Sequence, residues 1–208
     1  MKRFFTVVII SLLGAACVNG QKYSARKSVV LDSAQQAILN AVAENVKQND
    51  CYKVQNVVEV PGVDAQTLYK RALEALSDWA GPEGNAQTHI DYSDKESATV
   101  IYKGVCSLGF EPYMLAGWNI YADFTLKIRC KDGRAQTTFM VSQFVTETVG
   151  SVRRKDTIPL VNVISRFDSS GKGRQKRGAK ALIKTHFVSE ALSQAMQTRL
   201  STSLDDDF

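Results

Sequence analysis

Histidine is scarce in this sequence: two residues, His89 and His186, among 208. So few imidazoles leave no histidine-rich metal centre to build. Neither HExxH nor Cys-x-x-Cys occurs, and the nucleophile pattern GxSxG is missing as well. No metal or cofactor is expected. No apolar run reaches the roughly twenty residues that a bilayer-spanning helix needs. Proline is limited to 4 residues and tryptophan to 2, and no internal repeat is visible. What is present is 44% hydrophobic and 23% charged residues. That composition supports one buried core with an appendage and excludes collagenous, wholly disordered and multi-span membrane chains.

The first twenty residues read as an address. Met1-Lys2-Arg3 is basic, Phe4 to Leu13 is apolar except for Thr6 and Ser11, and Gly14-Ala15-Ala16 is small. This is the order of a secretory signal peptide. Two processing routes compete: cleavage after Val18-Asn19-Gly20, leaving Gln21 first, or lipidation of Cys17, with the chain held to the membrane by its acyl groups. The expected location is the periplasm or outer envelope. Losing Lys2 and Arg3 lowers the net charge from +5 to +3, so the basic character is partly the leader's. Cleavage before Gln21 leaves Cys51, Cys106 and Cys130, an odd number at spacings that match no zinc module. One disulfide between two of them stays open in an oxidising compartment, and a buried free thiol is the plainer reading of Cys130.

Five segments follow from pattern: leader 1–20, polar segment and amphipathic helix 21–52, sheet-and-helix core 53–150, basic loop and last helix 151–200, acidic tail 201–208. Ser33 with Gln36 reads as a capping box for a helix over 34–47, whose stripe is Ala34, Ala37, Ile38, Ala41, Val42 and Val46. A strand over 53–60 ends at Pro61-Gly62. Asp64 then caps a helix with Leu68, Ala72, Leu73, Leu76 and Trp79 on one stripe, stopped by Gly81-Pro82. Short strands at 89–92 and 98–103 flank a polar turn, and 104–117 looks irregular. From Ile120 to Cys130 apolar and polar residues alternate, giving one dry and one wet face. Asp132-Gly133 is a favoured hairpin turn. A turn there pairs Phe124 with Val141 and Leu126 with Phe139 on the dry face, and Tyr121 with Phe144 on the wet one. Pro159 marks 158–164 as an edge or irregular segment. Val188, Ala191, Leu192, Ala195 and Met196 form the stripe of a last helix over about 178–200.

Val58-Glu59-Val60-Pro61-Gly62-Val63-Asp64, Leu68-Tyr69-Lys70-Arg71-Ala72, Lys103-Gly104 and the strand and turn Phe124 to Arg134 carry a resemblance. Together they resemble domain-of-unknown-function family 4468, described as TBP-like, over about 54–148. The resemblance implies an α+β fold, β-α-β4-α: one antiparallel sheet with helices on one face, here with an extra N-terminal helix. It also implies export in a Gram-negative bacterium, and it supplies no activity. A fold of this type does not by itself imply nucleic-acid binding, and export removes that partner.

Two surfaces stand out. On the wet face Tyr121, Met140 and Phe144 are large residues beside Lys127 and Arg129, as in many binding surfaces. The alternative is that the N-terminal helix or 158–164 covers them. Lys172, Arg174, Lys176, Arg177 and Lys180 form a basic run that could hold an anionic envelope surface, or is a solvated loop. His89 and His186 read as solvent-exposed, and Asp91, Asp94 and Glu96 as a solvated turn. The leading reading is a non-enzymatic envelope binding or adaptor domain for a protein, glycan or lipid. The alternative is an envelope hydrolase with a loop-built site, which a concave cluster of a histidine with carboxylates or a cysteine would favour.

Overall fold

A computed structural model describes residues 31–79, 88–113, 116–149, 154–165 and 175–202. Helix α1 is Ser33–Asn49. Its cap lies one residue earlier than expected: Asp32 Oδ1 accepts from Gln35 N at 2.7 Å, and Asp32 N donates to Gln35 Oε1. The buried stripe is Leu39, Val42 and Val46, and Ala34, Ala37 and Ala41 lie outside the core. Strand β1 is Tyr52–Glu59 and helix α2 is Ala65–Trp79. Asp64 caps α2 as expected, accepting from Gln66 N and Thr67 N at 2.9 Å each. Its Thr67 hydroxyl bond holds the carboxyl below the ordinary value. The helix stop at Gly81-Pro82 lies outside the described residues.

Strands β2 (Thr88–Asp94), β3 (Thr99–Tyr113), β4 (Ala116–Lys131) and β5 (Arg134–Val149) make an antiparallel meander. The irregular stretch expected after Gly104 is instead continuous strand, with a bulge between Ser107 and Gly109. Gly109 takes φ +110 there, and Lys184 Nζ donates to the Leu108 carbonyl. The 158–164 segment divides: β6 is Lys155–Pro159, and Leu160–Ser165 is a short helix, α3. Helix α4 is Gln175–Ser201, so it begins inside the basic run rather than after it.

The six-stranded sheet runs β1-β5-β4-β3-β2, with β6 also on β5. β1 and β6 share one edge of β5: β1 pairs Arg134 to Val141, and β6 pairs Gln143 to Glu147. One hydrophobic cluster joins the helices to the sheet. Val42 and Val46 of α1, Leu68 and Leu76 of α2, Leu160 of α3, and Leu182, Met196 and Leu200 of α4 share it with Phe124, Leu126, Ile128, Phe139 and Val141. The helices therefore lie on one face of the sheet, as the β-α-β4-α reading expects.

The hairpin register holds near its turn. Phe124 pairs with Val141, Leu126 with Phe139 and Lys127 with Thr138. It then shifts between Asp123 and Phe124, so that Ala122 meets Phe144 and Tyr121 meets Val145. Ser142 is the extra residue. One inserted residue reverses the alternation beyond it, which carries Phe144 to the helix-covered face.

The sheet also settles the cysteines: Cys51, Cys106 and Cys130 are free. Cys106 lies opposite Ala122, eight residues along β4 from Cys130, so roughly 27 Å separates them. Cys51 adjoins β1, three strands from Cys106, about 14 Å at ordinary strand spacing. It is two strands across and several residues along from Cys130, about 20 Å. A disulfide needs Cα atoms within about 7 Å, so none of the three pairs closes. Burial pushes the Cys106 and Cys130 thiols up to about 11. At pH 8 both stay protonated and unreactive. A chromogenic disulfide reagent should titrate them at least tenfold more slowly than Cys51 in the folded chain, and all three at once in guanidinium. Rapid native titration of all three would contradict this packing.

Candidate functional site

Among the described residues nothing packs on the face away from the helices. Tyr121, Asp123, Thr125, Lys127 and Arg129 of β4 lie on it, with Met140, Thr138 and Gln136 of β5 and Lys53, Gln55 and Val57 of β1 alongside. None of these residues joins the hydrophobic cluster. The two covers considered from sequence do not lie here: α1 and α3 bury their apolar residues on the opposite side, and β6 extends the sheet. Four of the five expected residues, Tyr121, Lys127, Arg129 and Met140, thus share one face. Phe144 does not: it is 3% exposed, behind the Ser142 bulge.

Charge on this face is unevenly satisfied. Lys103 Nζ meets Asp91 at 2.9 Å, which holds that carboxyl below its ordinary value, and His89 lies 3.7 Å from the same group. Gln143 Nε2 donates to Asp123 Oδ2 at 2.7 Å. Among the described residues Lys53, Lys127 and Arg129 meet no carboxylate. Asp94 is occupied by its own turn, accepting from Ser97 Oγ at 2.6 Å and Glu96 N at 2.9 Å. Asp94 and Glu96 thus belong to a turn, as expected, whereas Asp91 lies within β2 and pairs with Lys103.

A second feature is not legible in the sequence. His186 is not solvent-exposed on a polar helix face. Its Nδ1 lies 3.0 Å from the Tyr52 hydroxyl, and its Nε2 lies 3.4 Å from Glu190 Oε1. Ser189 Oγ is 3.2 Å from the same hydroxyl. The cluster stands at one end of a groove of about 360 Å³ between β1 and α4. A histidine and a carboxylate in a concave site are what the hydrolase alternative asks for. The bonding is not that of an activated nucleophile, however. Ser189 Oγ donates to the His186 carbonyl at 2.7 Å, within its own helix. Burial raises the Tyr52 phenol above its ordinary value, so it remains a protonated donor.

The basic run is only partly visible. Lys172 and Arg174 lie outside the described residues, as does Cys17. Lys176 and Arg177 fall in the first turn of α4, and Lys180 is half-buried on it. Lys176, Arg177 and Lys180 are therefore helical. Among the described residues no group of three His, Cys, Asp or Glu could hold a metal.

The layered sheet with its helices on one side is an α+β architecture of the TBP-like kind. Residues 55–144 match the family described as domain of unknown function (DUF4468) with TBP-like fold, which bears out the resemblance seen in the strand, helix and hairpin motifs. Two solved structures share the fold. A DUF4468 family protein from Bacteroides ovatus ATCC 8483 is 13% identical, with a TM-score of 0.54 over 74% of this chain and 89% of its own. A TBP-like protein from Parabacteroides distasonis ATCC 8503 is 15% identical, with a TM-score of 0.50 over 74% of this chain and 96% of its own. At these identities the likeness is one of fold alone. No curated protein matches.

Proposed function

We propose that this chain is an exported, non-enzymatic binding module of the cell envelope, and that the open sheet face is its contact surface. One observation carries the reading: among the described residues Lys127 and Arg129 stand unpaired, and they share with Tyr121 and Met140 a face that no described helix covers. Desolvating a cation without a partner is unfavourable, whereas an anionic group offsets that loss through charge-assisted bonds. The Met140 thioether and, farther along the same face, the Tyr121 ring add apolar contact. The partner is accordingly an envelope component with anionic groups. The leader at 1–20 supports the compartment, with Cys17 as a further means of attachment.

The test is the double substitution Lys127→Glu and Arg129→Glu. Both side chains lie outside the core, so the melting temperature should move by no more than a few degrees. Cross-linking in intact cells should recover the partner with the unaltered chain and at least tenfold less with the variant. Equal recovery at unchanged stability would remove the open face as the contact surface.

A further inference from the structure

Among the described residues β1 is the terminal strand of its side of the sheet, and one of its edges faces no strand. Val60 N donates to the Gly133 carbonyl, so the even-numbered residues of β1 turn their peptide groups toward β5. By the two-residue repeat, Lys53, Gln55, Val57 and Glu59 turn theirs outward. At Lys53 the outward groups are already taken. Asn45 Oδ1 accepts from Lys53 N at 2.8 Å, and Asn45 Nδ2 donates to Lys53 O at 2.8 Å. The Asn45 carboxamide makes the two bonds that a peptide group of a neighbouring strand would make.

Gln55, Val57 and Glu59 have no such substitute among the described residues. Proteins usually blunt such an edge with a bulge, proline or inward charge. The opposite edge strand, β2, has a bulge between Ile90 and Tyr92. β1 is regular along its whole pairing with β5, and Val57 is 54% exposed at its centre. Beside this edge lies the groove against α4, where Asn56 Nδ2 donates to Ser193 Oγ at 2.8 Å.

We propose that the β1 edge takes an extended peptide as an added strand, held by the outward peptide groups of Gln55, Val57 and Glu59. The occupant is a polypeptide because Asn45 shows what those groups accept: an amide carbonyl and an amide N–H side by side. Alternate side chains of the ligand enter the groove, where Asn56, Ser193 and Gln197 favour hydroxyl or amide groups. The intervening ones lie beside Val57 and favour β-branched residues. This surface is separate from the open-face cations.

The probe is a fluorescein-labelled Lys-Thr-Val-Thr-Val-Thr-Lys peptide, titrated into the purified chain by fluorescence anisotropy with amide hydrogen exchange read in parallel. The expected result is saturable binding that slows exchange at Gln55, Val57 and Glu59. Val57→Pro removes one outward N–H and no bond to β5, so it should weaken binding at least tenfold while leaving the melting temperature nearly unchanged. Lys127→Glu with Arg129→Glu, two strands away on β4, should leave saturable peptide binding in place, which separates this edge from the contact made by those two cations. No binding up to millimolar peptide, or protection elsewhere in the chain, would overturn the proposal. So would sedimentation showing a dimer of the free chain with these three amides already protected, because a second copy would then fill the edge. If Val57→Pro fails to fold, the protection map of the unaltered chain decides alone.

Discussion

Phe144→Ala should destabilise the chain by about 3–5 kcal/mol, the range for removing a buried aromatic ring. Phe144 is 3% exposed, pairs with Ala122 and Ile158, and lies in the core cluster. For a chain of this size each kcal/mol moves the melting temperature by about 2–4 °C, so a fall near 10 °C is expected. Tyr121→Ala should behave differently. It is half-buried on the open face and outside the cluster, so the loss should be less than half that of Phe144. Urea unfolding of the two variants measures both. Without the extra residue at Ser142, the two rings would be cross-strand neighbours on one face, and their losses would be alike. Equal losses would therefore remove the bulge.

That bulge marks the limit of what can be read from the sequence. The Asp132-Gly133 turn and the alternation from Ile120 to Cys130 are local signals, and they give the correct pairs from the turn to Phe124. Ser142 carries no comparable signal, since a serine suits an ordinary exposed strand position equally well. Its consequence is tertiary: the edge of β5 changes partner there, from β1 to β6. The Asp64 cap is legible because a side chain three residues from its donor needs no distant partner. His186 is not, because its neighbour Tyr52 lies 134 positions away in the chain. Nor does any residue pattern announce that Asn45 occupies the β1 edge at Lys53 and stops there.

Leu182→Ala should cost about 2–5 kcal/mol, and it tests the face of α4 that meets the sheet. The stripe legible in the sequence runs through Val188, Leu192 and Met196. In the structure the buried positions include Leu182, Thr185, Ser189, Met196 and Leu200, and Val188 and Leu192 are only partly buried. The difference has a physical cause: two buried positions hold polar residues, which lower the apolar signal of the true face. Their hydroxyls are satisfied inside the helix, Thr185 Oγ1 donating to the Ala181 carbonyl at 2.8 Å and Ser189 Oγ to the His186 carbonyl at 2.7 Å. Buried hydroxyls with such partners carry little penalty, so they can occupy a core face without disrupting it. Leu182 is fully buried, and its truncation leaves a cavity among residues fixed by the sheet. Leu192→Ala removes side chain that is already partly in water, and should cost less than half as much. Thermal or urea unfolding of the pair gives the order. A larger loss at Leu192 than at Leu182 would mean that α4 is rotated about its axis, toward the stripe that the sequence suggests.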